Sequence, residues 1–216
     1  MKVALIGATG FVGKHIAKEL ISRGHNVLGI ARHIPNDVVN ENLNYISLDI
    51  ENVSLLSQAL INSDIVVSAF NAGWENPNIY DDFLKGSNAI QDAVKHAGIK
   101  RYLVIGGAGS LWVNKNTQVI DTPEFPKNIY PGANAARKYL ELLKQETDLD
   151  WSYFSPAIEM HPGITTGRTG KYRLGNEEPV VDSNFRSILS VEDLAVVIAD
   201  EVEQNRFSKK RFTAAY

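Results

Sequence analysis

The sequence predicts an α/β fold: a single domain on a doubly wound, mostly parallel sheet, with helices on both faces. Three observations predict it. Short apolar runs of strand length alternate with stretches of helical spacing along the chain. The strand runs are continuously apolar, as in Ile65-Val66-Val67, which is how strands buried on both faces read. Glycine-rich turns follow the first and fifth of these runs.

Composition narrows the function classes. A chain of 216 residues can bury a substantial core as one domain. A net charge of −3 gives no reason to expect nucleic acid or an anionic membrane as partner. The sequence has no cysteine, which excludes thiol catalysis, disulfides and thiolate metal sites and fits a reducing cytoplasm. The histidines, at 15, 25, 33, 96 and 161, lack metal-ligand spacing, so no metal site is expected. No apolar run approaches the ~20 residues of a membrane span. The N-terminus enters a strand directly, without a signal-peptide pattern.

The first strand, Met1 to Ile6, runs straight into Gly7-Ala8-Thr9-Gly10-Phe11-Val12-Gly13. Val12, Ile16, Leu20 and Ile21 then fall at helical spacing, with Lys14, Lys18, Glu19 and Arg23 on the other face. Between a buried strand and an amphipathic helix, three glycines read as a dinucleotide-binding turn of the Rossmann type. Gly7 permits the tight turn, Gly10 lets backbone approach a pyrophosphate, and Gly13 lets helix pack on strand. Free N–H groups and the positive dipole end of the helix face the phosphates. A mononucleotide P-loop is rejected, because Ala8 and His15 stand where its pattern needs Gly and Ser or Thr.

Gly24 is a C′ candidate for the first helix, and Val27 to Ala31 forms the second strand. An acid at this strand's end would hold the ribose 2′-OH of NAD. Arg32 stands there instead and suits the 2′-phosphate of NADP, so NADP(H) is preferred and NAD(H) stays open. Leu43 to Leu48 is the third strand, followed by Asp49-Ile50 and a brief helix through Leu55, Leu56, Ala59 and Leu60. Ile65 to Ala69 is the fourth, and Phe70 to Trp74 leaves its carboxyl end, where such sheets bind ligands. A helix runs from about Ile79 to Ala97, with Gly98 as its stop. After the fifth strand, Tyr102 to Ile105, the glycines of Gly106-Gly107-Ala108-Gly109 permit a second close approach to the cofactor.

Residues 112–131 hold three prolines and no clear period, which predicts a loop over the mouth of the site. A helix is expected from about Ala133 to Gln145, then a sixth strand, Trp151 to Ser155, ending at Pro156-Ala157. Residues 157–187 form a second excursion, with a turn at Gly167 to Gly170, a short strand at Lys171 to Leu174, and Arg168, Lys171 and Arg173 read as a solvated cluster. Ser190 is an N-cap for a helix from Val191 to Glu203, with Asp193 in capping-box position. Arg211 to Thr213 reads as a last edge strand, with Lys209-Lys210-Arg211 decorating it.

Ile6 to Gly13 resembles the TGxxGxxG fingerprint of extended and atypical short-chain dehydrogenases. Gly106 to Leu111, Asp121 to Pro126, Leu149 to Ala157, Arg168 to Gly175 and Arg211 to Thr213 resemble the NADH-flavin reductase group, the NmrA-like, biliverdin-reductase-B-like branch. The likeness spans essentially the whole chain. It implies that Gly7, Thr9, Gly10, Phe11 and Val12 cradle the pyrophosphate and that Asp49 and Ile50 flank the adenine. Ala69, Phe70, Gly106, Gly107, Pro156 and Ala157 would line the nicotinamide half, with Arg137 at the nicotinamide ribose.

The group's wider class carries Ser after the fifth strand and Tyr-x-x-x-Lys on the next helix. Aligned on Glu141, this chain has Arg137 in the Lys position and Ala133 in the Tyr position; the Ser position falls near Gly107, with Ser110 close by. Tyr130 offers a tyrosine nearby, but four residues on stands Asn134, not Lys; without the pair there is no evident general acid for a substrate oxygen, and no catalytic residue is assigned. Hydride transfer to a flavin, FMN or FAD as substrate, or to a similar flat small-molecule acceptor needs no such acid. Phe70, Trp74, Trp112, Tyr130 and Tyr153 are candidate walls. The alternative is a non-catalytic NAD(P)-binding redox-sensing or regulatory module of NmrA type. The oligomeric state stays open.

Overall fold

The computed structural model describes residues 1–34 and 40–216. The first half of the chain forms β1 Lys2–Ile6, α1 Phe11–Ser22, β2 Asn26–Ala31, β3 Leu43–Ser47, α2 Val53–Leu60, β4 Ile65–Ser68, α3 Ile79–His96 and β5 Arg101–Ile105. A small hairpin of β6 Trp112–Asn114 and β7 Thr117–Gln118 follows. Then come α4 Tyr130–Leu143, β8 Asp150–Ser155, β9 Arg173–Gly175, α5 Val191–Gln204 and β10 Lys210–Ala215. Eight strands make one sheet in the order β3-β2-β1-β4-β5-β8-β10-β9, parallel throughout except where β9 runs against β10. This is a Rossmann-like α/β fold whose strand order reverses between β1 and β4, the switch point where such sheets bind ligands.

The pleat sorts each strand's side chains onto two faces. On β1, Val3 and Leu5 enter the core under α1 and α5, while Ala4 and Ile6 enter the one under α2, α3 and α4. Both faces of the central strands are therefore buried, which explains their unbroken apolar runs. Helix α1 stops where expected: Gly24 adopts φ +80, a left-handed cap that any side chain would strain.

Three expectations need correction. Residues 112–131 are not a loop. They hold the β6–β7 hairpin, a 3-10 turn at Val119–Asp121 and the first turn of α4, which begins at Tyr130. Pro131 belongs inside that turn, because an N–H there has no intrahelical acceptor to lose. β10 is an edge only over Lys210 to Phe212, since β9 pairs along its outer side from Thr213 to Ala215. Arg211 does not decorate that edge; it is 3% exposed. Finally, Ser190 does cap α5, accepting from the Asp193 N–H at 3.1 Å, but Asp193 does not complete a capping box. Its fully buried carboxylate instead accepts from Thr169 N, Gly170 N, the Thr169 hydroxyl and the Tyr216 hydroxyl.

Candidate functional site: the carboxyl ends of the strands

Fourteen of the fifteen predicted contact residues follow the carboxyl ends of six neighbouring strands. Asp49-Ile50 follows β3, Arg32 follows β2, and Gly7 to Val12 follows β1. Ala69-Phe70 follows β4, Gly106-Gly107 follows β5, and Pro156-Ala157 follows β8. Parallel pairing brings all six ends to one crest.

The tightest part of the crest is the turn after β1. Gly7 has φ +76, and a Cβ there would lie 2.5 Å from the Ala69 carbonyl oxygen. A Cβ on Gly13 would lie 2.1 Å from the Gly7 carbonyl oxygen, so α1 sits directly on the turn. Gly10 is the N-cap of α1 and has no side chain to occupy the helix's first N–H groups. The first turn carries no acid. Helical geometry leaves those groups without intrahelical acceptors, and the dipole favours an anion there by about 0.3–2 kcal/mol. Thr9 and Gly10 are exposed, and Phe11 and Val12 half-buried. These residues fit a dinucleotide pyrophosphate.

Along the crest, Arg32 is exposed and its carbonyl accepts from the Ser47 hydroxyl at 2.8 Å. Asp49 is exposed and accepts from the Glu51 N–H, while Ile50 leans towards Gly86. Phe70 stacks on Phe83 with ring centroids 5.9 Å apart and also lies against Gly86. Pro156 and Ala157 are buried.

Other predictions change meaning. A Cβ on Gly106 would lie 1.9 Å from the Tyr153 ring, so packing alone dictates this glycine. Gly107 is under no such constraint, with only ordinary contact to Ala136 at 3.5 Å. Tyr153 is no pocket wall: it is fully buried and donates to the Ala136 carbonyl at 2.9 Å. Trp74 and Tyr130 are 58% and 40% exposed, and Trp112 is half-buried. Arg137 lies on α4, next to Ala136, which approaches Gly107 after β5. Its guanidinium donates to Asp121 at 2.9 Å, Gln118 at 3.2 Å and Asn134 at 2.9 Å, which fastens the first excursion to the helix.

The second excursion is also fastened. Arg168 grips Glu19 of α1 through two contacts of 2.8 Å, and Arg173 donates to the Val181 and Tyr216 carbonyls. The Arg168 fork holds the Glu19 carboxyl below its ordinary range, Arg23 adding to it against burial. Arg168, Lys171 and Arg173 are exposed, as a solvated cluster would be, and Arg168 and Arg173 also act as tethers. Sequence reading missed the Asp193 cradle and Arg211, which donates to Ser110 and pairs with Glu177. Their partners lie 23 to 101 residues away, and no local pattern signals them.

The model of the NAD(P)H-binding family matches residues 7–205. The chain belongs to the NAD(P)H-binding family. The uncharacterized protein YwnB of Bacillus subtilis is 34% identical over 215 residues, 99% of this chain and 97% of that protein. Among solved structures, one named as a putative epimerase from Bacteroides thetaiotaomicron is 40% identical, with a TM-score of 0.90 covering 100% of this chain and 96% of that one. A putative NADH-flavin reductase from Streptococcus pneumoniae is 32% identical, with a TM-score of 0.87 and coverage of 100% and 99%. Within this oxidoreductase family the chain takes nicotinamide dinucleotides as ligands. No helix among the described residues is long and apolar enough to cross a membrane, and none of their His, Asp and Glu clusters could hold a metal.

Three tyrosines, Tyr102, Tyr139 and Tyr153, are buried in the core. Burial pushes Tyr102 up to about 12, and pushes Tyr139 and Tyr153 up as well. Tyr139 is held by Gln91 at 2.9 Å and Tyr102 at 3.3 Å, inside the core.

Proposed function

We propose that the chain is an NADPH-preferring reductase that passes hydride to a flavin, or to a similar flat conjugated small molecule. The observation that carries this reading is the run of glycine turn, Arg32 and apolar strand ends along one crest. Reduced nicotinamide, when bound, supplies the hydride. The N–H groups of Phe11, Val12 and Gly13 would hold the pyrophosphate, and Arg32 would grip the 2′-phosphate through charge-assisted bonds. Asp49 and Ile50 would flank the adenine. Ala69, Phe70, Gly107, Pro156 and Ala157 would line the nicotinamide half and keep water from the reacting rings. NADH would bind more weakly at the same crest. A cytoplasmic location belongs to the same proposal.

The choice of acceptor rests on α4. Ala133 occupies the position where related dehydrogenases carry their tyrosine, and Arg137 is committed to Asp121. Tyr130 opens that helix, but Asn134 rather than a lysine stands four residues on, so no Tyr–Lys pair serves a substrate oxygen and alcohol–ketone chemistry and epimerisation are disfavoured. A flavin needs only stacking and distance, with Phe70, Trp74 and Trp112 as the available walls. The same lack of a Tyr–Lys pair supports a second reading, a non-catalytic redox-sensing or regulatory module.

Turnover separates them. Purified protein with NADPH should lose reduced-nicotinamide absorbance faster than the protein-free control once FMN or FAD is added. Tight NADPH binding with no turnover on flavins or quinones would overturn the reductase in favour of the sensing module.

A further inference from the structure

A second cleft lies at the opposite end of the sheet. It opens beside the amino ends of β8 and β10, away from the Gly7 turn, and encloses about 540 Å³. That volume is in the range of small-molecule sites, roughly 300–1,000 Å³. Its walls are cationic. Lys144, Arg206, Lys209, Lys210 and Arg211 line it, against Glu177 as the acid of the lining.

Ordinary structural duties account for part of this charge. Arg211 pairs with Glu177, and Lys209 donates to the Thr147 carbonyl at 2.8 Å. Lys144 and Arg206 adjoin the carboxyl ends of α4 and α5, where helix dipoles favour cations. Two helix ends contribute about half a negative charge each, Glu177 one more, and the buried Glu201, which accepts from the Arg206 and Phe207 N–H groups, another, so the five cations keep an excess of about two. Among the described residues, none of Lys144, Arg206, Lys209 and Lys210 forms an ion pair.

Two further observations concern the wall of the cleft. Trp151 and Arg211 both line the cleft and are each 3% exposed, and Trp151 Nε1 and Arg211 Nε, sealed just beneath its wall, have no hydrogen-bond partner. Buried donors are nearly always satisfied. Lys209 also holds φ +52, a left-handed conformation that costs a side-chain-bearing residue about 1–2 kcal/mol. The turn at Lys209 leads straight into Lys210 and β10.

We propose that this cleft binds a small, multiply charged oxyanion bearing phosphate or carboxylate groups, at a site separate from the dinucleotide crest. The positive charge is concave and local, in a chain of net charge −3. That favours a compact ligand over a nucleic-acid strand, which needs an extended basic face.

The test uses the full ¹⁵N-labelled chain saturated with NADP⁺, so that the crest is blocked. Pyrophosphate is titrated in one arm and citrate in the other, following the Trp151 indole N–H signal. Trp74→Phe and Trp112→Phe identify that signal by elimination, leaving Trp151 intact. The proposal expects a saturating shift at Trp151. It also expects affinity to fall about tenfold or more in Lys144→Gln/Lys210→Gln, as two charge-assisted contacts are lost, with NADP⁺ affinity unchanged. The tighter arm names the oxyanion as phosphate or carboxylate. A Trp151 signal that stays put or drifts without saturating overturns the proposal, as does equal affinity in the double variant.

Discussion

Replacing Gly13 by alanine sets two physical effects against each other. In a helix interior, Gly to Ala gains about 1 kcal/mol of helix propensity, so α1 taken alone should become more stable. The packing predicts the reverse. The new Cβ would lie 2.1 Å from the Gly7 carbonyl oxygen and 2.9 Å from the Ala8 Cα, both backbone atoms that cannot rotate away. Helix α1 must lift off the turn, disturbing Ile16, Ala17 and Leu20 in the core beneath it. Overpacking of this kind costs about 1–3 kcal/mol, enough to reverse the propensity gain. Gly24→Ala is the control, because nothing lies within 4 Å of its Cβ and its only penalty is φ +80. That penalty is about 1–2 kcal/mol and far from the phosphates. Urea denaturation and dinucleotide titration on both variants separate the cases. Gly13→Ala should lose stability and dinucleotide affinity together, and Gly24→Ala stability alone. A Gly13→Ala protein at least as stable as the parent, with unchanged affinity, would refute the reasoning.

Three other outcomes follow from the geometry. Asp193→Ala abandons the Thr169, Gly170 and Tyr216 donors, each bond worth about 0.5–1.5 kcal/mol net, so protease should cut near residues 165–172; an uncut chain of parental stability counts against the cradle. Burial would raise the Glu146 carboxyl, but the Asp148 N–H, Gln91 and Lys95 outweigh it and hold the group at about 2, against an ordinary 4.5. A depressed folded pKa stabilises above the unfolded value and is lost as pH falls, so Glu146→Gln should flatten the acid limb of stability between about pH 4.5 and 2; an unchanged limb contradicts this. Tyr139→Phe leaves Gln91 Oε1 without its donor and should cost about 1 kcal/mol in denaturation without slowing NADPH oxidation, whereas a catalytic defect would bring this buried tyrosine back into the chemistry.

What the sequence made legible is what depends on local spacing. The glycine turn, the apolar strands and the start of α5 at Ser190 are written in neighbouring residues, and the strand ends follow once alternation implies parallel pairing. The rest depends on partners far along the chain. Arg211-Phe212-Thr213 reads as an edge, but β9 arrives from the second excursion to pair from Thr213 to Ala215, and Glu177 meets the buried Arg211 guanidinium. Gly106 reads like Gly7, since a glycine at a strand end says only that a side chain is unwelcome. At Gly106 the Tyr153 ring already fills the space a side chain would need. Asp193 has the right spacing for a capping box, but donors 23 and 24 residues upstream claim its carboxylate first.

The most direct test of the account is a binding titration of NADPH and NADH against the parent protein and Arg32→Ala. The account predicts tighter NADPH binding in the parent. Loss of a charged hydrogen bond, about 1.5–3 kcal/mol, should weaken NADPH roughly ten- to hundredfold in the variant and leave NADH nearly unchanged. Equal loss for both dinucleotides, or none for either, would contradict the role of Arg32, and failure of the parent to bind either dinucleotide would contradict the crest itself.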